Sequence, residues 1–196
     1  MLAAQVLQPL LATRRPERIL VLKHAWAGIV PLESVSPVQI IRLNSNSSAS
    51  GAVLRCRFDA LPFEPAVFDL VILHHLLSDG QERVLAETLR VLAPGGDVVL
   101  CGLNSTGLRY RFGNRKNHFP GLKIKRVDQV LKAQSFDIKQ CLLVGIAGFS
   151  RPSPKAVWHG LRLPFADWVV LHGHHRSGLS NINFTRKRHP LMQYAG

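Results

Sequence analysis

Residues 58–100 read FDALPFEPAVFDLVILHHLLSDGQERVLAETLRVLAPGGDVVL, and their order decides the fold. The run FDLVIL at 68–73 is continuously apolar, as a parallel strand buried on both faces requires. Ser78 or Asp79 can cap a helix running to about Leu92, with Val84, Leu85, Leu89 and Leu92 on one stripe. Pro94, Gly95 and Gly96 stop it, because glycine accepts the left-handed position after a helix and proline cannot continue one. Asp97 to Cys101 then supplies another strand. Strand, capped helix, breaking turn and strand in that order specify an α/β fold with a mostly parallel sheet.

The flanks extend this pattern. RILVL at 18–22 follows Pro16 and reads as a buried strand, VQIIRL at 38–43 as a second, and 53–58 as a shorter third. NSNSSASG at 44–51 is a polar loop. Beyond Gly102 the segment 104–121 is long and basic, with Tyr110, Phe112 and Phe119 among Arg109, Arg111, Arg115 and Lys116. Val127, Val130, Leu131 and Gln134 predict a short helix, residues 138–146 a strand and 180–186 the last strand. Pro152, Pro154 and Pro164 mark a loop-rich insertion. No internal repeat or dividing linker is visible, so a single domain over 1–196 is expected.

The chain carries a formal net charge of +13 at 46% hydrophobic content, too apolar for a disordered chain that acts by charge alone. Its charge is unevenly placed. Residues 1–108 hold nine Lys/Arg against nine Asp/Glu, whereas residues 109–196 hold sixteen against three. Such a split fits either an anionic partner met by the second half or a solubility device. Cys56, Cys101 and Cys141 suit neither a disulfide framework nor a zinc knuckle, so reduced thiols in the cytoplasm are expected. The stretch 2–11 lacks the order of a signal peptide, and no run approaches a membrane span. A P-loop, a Ser/His/Asp elbow and paired-cysteine motifs are absent, leaving hydrolase and nucleoside triphosphatase readings without residues to carry them.

Residues 58–100 resemble the middle of a class I S-adenosylmethionine-dependent methyltransferase. The match runs through Asp59, Leu61, Pro62 and Phe63, the strand Phe68 to Val71, His74-His75-Leu76, Glu87, Arg90 to Leu92 and the turn Pro94 to Gly96. Gly102 to Arg109 resembles a further motif of a proteobacterial, type 11-like branch. The resemblance implies a Rossmann-like, seven-stranded-type sheet with helices on both faces and its last strand antiparallel. It also implies S-adenosylmethionine across the carboxyl ends of the first strands, with Asp59 accepting from the adenine amino group and Ala60 beside it. The first strand-to-helix turn, LKHAWAG at 22–28, would add contacts from His24, Ala25 and Gly28. Lys23 and Ala25 occupy the usual glycine places there, and Trp26 could fill ligand volume. The second strand ends in Asn44 where the family places an acid. Cofactor binding is therefore expected to be weak.

His74 and His75 end the fourth expected strand, where acceptor-side residues of the family lie. One is a candidate general base; the bland alternative is that one packs in the core and the other caps the next turn. His172, His174 and His175 lack a third type of ligand nearby, so a solvated loop is expected in place of a metal site. Trp158 and Trp168 read as packing. Two functions stay open: an S-adenosylmethionine-dependent methyltransferase of unknown acceptor, and a non-catalytic module that grips RNA, a nucleotide or an acidic protein. Arg109, Arg111, Arg115 and Lys116 would supply the grip, with aromatics between them for stacking.

Overall fold

The computed structural model describes residues 2–23, 39–44, 56–76, 82–107, 110, 121–145, 148–149 and 166–176. In chain order they form α1 (Leu2–Arg14), β1 (Arg18–Lys23), β2 (Gln39–Asn44), β3 (Phe68–His74), α2 (Glu82–Val91) and β4 (Leu92–Asn104). There follow β5 (Gly121–Leu122), α3 (Ile124–Ala133), β6 (Phe136–Gly145), β7 (Gly148–Phe149) and β8 (Ala166–His175). The strands make one mixed sheet of order β2-β1-β3-β4-β8-β6-β7, with β5 pairing the end of β4. Strands β1 to β5 pair in parallel, and β8 is antiparallel to both β4 and β6. The expected α/β sheet is there, with β3 in its interior.

Period-two alternation sends the side chains of the central strands to two buried faces. Leu20, Leu22, Val71, Leu73, Val98, Leu100, Val169 and Leu171 join one core cluster with Leu85 and Val91 of α2 and Ile124, Val127 and Leu131 of α3. Ile19, Val21, Leu70, Ile72, Val99 and Val170 face the other way and are covered by Leu7, Leu10 and Leu11 of α1. Each such fully buried aliphatic side chain contributes about 1.5–3 kcal/mol. Helices therefore lie on both faces because the central strands are apolar on both.

Proline and glycine make a bulge within β4, just after α2 ends at Val91. Phe68 pairs with Leu92 and Leu70 with Asp97, so residues 93–96 loop out opposite Asp69. Gly95 has φ +76, and a Cβ on Gly96 would stand 2.8 Å from the Ala93 carbonyl oxygen.

Three expectations change. The antiparallel strand is formed by Ala166–His175, and residues 180–186 lie outside the described residues. His172, His174 and His175 consequently belong to a strand, not a solvated loop, and His172 is buried. The sequence concealed this strand because its histidines interrupt an apolar run, yet two of them bond to a buried carboxylate. Of the expected third strand, residues 53–55 lie outside the described residues, and Arg57 makes an isolated bridge to Ala60.

Candidate functional site

The sheet order reverses at β1 and β3, which run side by side although β2 intervenes in sequence. Above such a switch point, neighbouring connections leave in opposite directions and open a crevice at the carboxyl edge. Register aligns Asn44, Lys23, His74 and Cys101 across that edge. His24, Ala25, Trp26 and Gly28 lie outside the described residues.

His74 and His75 have different surroundings. His74, the last residue of β3, is partly exposed; His75 is 4% exposed and holds φ +60, an uncommon conformation for a side chain with a Cβ. The His75 N–H donates to the Cys101 carbonyl at 2.8 Å. Its ring stands edge-on to Trp168 at 4.9 Å and tilted against His74 at 4.6 Å. Trp168 thus packs His75, and His74 is the imidazole presented at the edge. Neighbouring Asn104 is fully buried: its Nδ2 donates to the Ala166 carbonyl at 2.9 Å, and its Oδ1 accepts from the Thr106 amide and hydroxyl. That amide locks the end of β4 to the start of β8. Neither Asn104 nor Trp168 stood out in the sequence as part of the site, because the strand that brings them here was not legible.

The turn carrying Asp59 is fastened from α2. Glu87 accepts the Leu61 N–H at 2.9 Å. Arg90 pairs with both Glu87 oxygens and donates to the Leu61 and Phe63 carbonyls at 3.2 and 2.9 Å. The Arg90 hydrogen bonds hold the Glu87 carboxyl below its ordinary range against the opposing effect of burial. Phe63 packs edge-on against Phe68 at 5.0 Å. The Leu-Pro-Phe sequence is thereby set at a fixed distance from the sheet.

Asp59 itself is engaged by Arg57, Nε to Oδ1 at 3.0 Å and Nη2 to Oδ2 at 2.8 Å. This two-point pair lowers the Asp59 pKa, chiefly through the hydrogen bond. Ala60 donates its N–H to the Arg57 carbonyl at 3.2 Å. The Asp59 carboxylate therefore already has a cationic partner.

Arg109, Arg111, Arg115 and Lys116 lie outside the described residues. Tyr110, between two of the arginines, is exposed, and its ring lies where a Cβ on Gly121 would come within 2.7 Å. Since β5 pairs Leu103 and Asn104, that aromatic stands beside the same carboxyl edge. Burial pushes the Cys101 and Cys141 thiols up to about 12, which removes them as nucleophiles. Among the described residues no group of three His, Cys, Asp or Glu is arranged to hold a metal ion, and no helix is long and apolar enough to cross a membrane.

Residues 25–100 match the family described as methyltransferase domain. A possible histamine N-methyltransferase from Thermotoga maritima, described as S-adenosylmethionine-dependent, is similar in structure with TM-score 0.62 and 16% identity, over 88% of this chain and 87% of that one. A second S-adenosylmethionine-dependent methyltransferase, from Archaeoglobus fulgidus, gives TM-score 0.57 at 12% identity over 87% and 93%. The [4+2]-cyclase SpnF gives 0.58 at 16% over 90% and 83%. No curated protein sequence matches.

Proposed function

From the premise that this chain is methyltransferase-like with the class I fold, we propose that it is an S-adenosylmethionine-dependent methyltransferase with a weakened cofactor grip. The observation that carries the reading is the Asp59 turn, which Glu87 and Arg90 fasten to α2. In this reading Asp59 and the Ala60 backbone receive the adenine, and Asn44 takes the ribose in place of an acid. His24, Ala25 and Gly28 border the methionine end. When bound, the cofactor supplies an electrophilic methyl group.

Methyl displacement asks the chain mainly for alignment and, where the acceptor must lose a proton, for a base. His74 fills that role from the exposed side of the edge, while His75 and Trp168 hold its ring in place. The basic segment with Arg109, Arg111, Arg115 and Lys116 draws an anionic acceptor or partner towards the same edge, and Tyr110 offers a stacking face. Cytoplasmic location is part of this proposal.

One observation favours the second reading, a non-catalytic module for RNA, a nucleotide or an acidic protein: the Arg57–Asp59 pair closes the adenine contact. That a protein named a [4+2]-cyclase shares the fold shows why fold alone does not choose. Calorimetric titration with S-adenosylmethionine and S-adenosylhomocysteine separates the two. Saturable binding that weakens in Asp59→Ala supports the methyltransferase; absence of heat with both ligands, alongside binding of RNA or nucleotide, supports the module.

A further inference from the structure

We propose that the outward stripe of α3, with the Tyr110 ring at its head, is a docking surface for single-stranded nucleic acid. It adjoins the candidate crevice without being part of it, so either reading of the cofactor site leaves it in place. Helix α3 starts at the carboxyl edge, because Leu122 pairs with Asn104 at the end of β4 and Lys123 follows directly. Ile124, Val127 and Leu131 anchor one side of the helix in the core. The other side holds Lys125, Arg126, Gln129 and Lys132, all exposed, with 125, 129 and 132 following the helical repeat. Arg126 and Lys132 keep 59% and 60% of their side-chain surface in water.

The charge of this stripe is not balanced on its own helix. Helix α2 sets Glu82 and Glu87 against Arg83 and Arg90 and is neutral. Residues 123–132 set Lys123, Lys125, Arg126 and Lys132 against Asp128 alone. Asp128 is buried and already has Lys132 at 2.9 Å, and Arg126 reaches across to Glu82 of α2. The other acids of the second half stand elsewhere: Asp137 on β6 has Arg176 at 3.0 Å, and Asp167 on β8 is buried. Cations in the first turn of a helix oppose its macrodipole, and α3 has Lys125 and Arg126 there with no acid. Such a pattern suits a stripe kept for an anionic partner better than one tuned for helix stability.

The side chains select the partner. A protein interface needs apolar or aromatic anchors at its centre, and this stripe offers three cationic side chains and an amide. A helix that lies on a membrane turns its apolar face outward, whereas that of α3 is buried in the core. A single strand asks for cations along its phosphates and an aromatic face for a base. Tyr110 supplies that face: it is 44% exposed, and its ring lies on Gly121, where a Cβ would come within 2.7 Å. Gly121 stands two residues before Lys123, which puts the ring beside the start of the stripe.

Fluorescence anisotropy of a labelled single-stranded RNA of roughly a dozen nucleotides, titrated with the full chain and no cofactor, tests the surface. Saturable binding that weakens with salt is expected. Gln129→Glu puts an acid within helical pairing reach of Lys125 and Lys132, and Lys125→Gln removes a cation that the macrodipole opposes. Each should leave the unfolding midpoint unchanged or raised, yet weaken RNA binding roughly threefold or more. Lys125→Gln should also flatten the salt dependence by about 0.7 log units per tenfold salt. Tyr110→Ala should weaken binding about tenfold, and Tyr110→Phe should keep the affinity of the natural chain. Absence of saturable binding, full affinity in Gln129→Glu or in Tyr110→Ala, or equal affinity for RNA duplex, poly-glutamate or anionic phospholipid vesicles would overturn the proposal.

Discussion

The two edges of this sheet are built from similar materials to different ends. At the amino edge Asp97 is buried and satisfied by two imidazoles and an arginine from two other elements, and Asp69 caps the amides that open β1. At the carboxyl edge Lys23 and His74 are partly exposed and His75 holds a positive φ, while Asp59, on the turn fastened to α2, is partly exposed and pairs with a neighbour two residues away. A buried charge needs several partners because the interior solvates it poorly, whereas an exposed one needs none. The difference is between a charge buried among several partners and side chains that keep part of their surface in water.

Disturbing the amino edge should have the largest effect. Asp97→Ala strands the buried His172, the partly buried His174 and an arginine, and is expected to cost about 3–5 kcal/mol in denaturant unfolding while leaving ligand affinity unchanged. Burial alone would raise the Asp97 pKa, but the His172 hydrogen bond and charge, then His174 and Arg14, bring it below its ordinary value. A depressed folded-state pKa contributes stability present above the unfolded value and lost as pH falls through the folded one. Unfolding midpoints of the natural chain should therefore drop below about pH 4, and Asp97→Asn should flatten that limb.

Arg90→Ala tests whether the Asp59 turn needs its staple from α2. It should cost about 1–3 kcal/mol, since it leaves the Leu61 and Phe63 carbonyls and Glu87 short of partners. Unlike Asp97→Ala, it should also weaken S-adenosylhomocysteine binding, read by calorimetry. Equal effects of both variants on affinity would erase the contrast between the edges.

A smaller change isolates the adenine contact. Arg57→Ala frees the Asp59 carboxylate and should tighten S-adenosylhomocysteine by up to about fivefold, the range of an exposed ion pair. Asp59→Ala should then matter more in the Arg57→Ala background than in the natural chain. Additive effects would show that the pair does not compete with ligand.

The smallest effect on the fold is expected from replacing Arg109, Arg111, Arg115 and Lys116 together by Ser, under about 0.5 kcal/mol in unfolding. Binding of a single-stranded RNA should nevertheless lose part of its salt dependence, roughly 0.7 log units per tenfold salt for each phosphate contact removed. An unchanged slope assigns these cations to solubility.

Legibility in the sequence followed the range of the interactions involved. The helix stop at 94–96 and the buried strands at 18–22 and 68–73 depend on neighbours a few residues away, and all three were readable. The strand Ala166–His175 was hidden: its histidines look like solvated residues until Asp97, 75 and 77 positions earlier, comes to lie beside them. Asp59 was legible as a carboxylate in a family-like turn, but the Arg57 guanidinium lying across it was not, since two residues can sit on one loop without meeting.

By itself, then, the sequence determined the period-two apolar strands, the proline-glycine stretch that follows α2, and the basic bias of the second half. Local sterics and residue chemistry decide those. Only the tertiary structure decided which polar groups are partners. It brought Arg14, Asp97 and the β8 histidines together from three elements, and it buried Asn104 against Ala166. Charge and hydrogen-bonding capacity are written in the residue, but burial and pairing are set by residues far along the chain, and these fix whether a side chain stabilises the fold or remains available to a ligand.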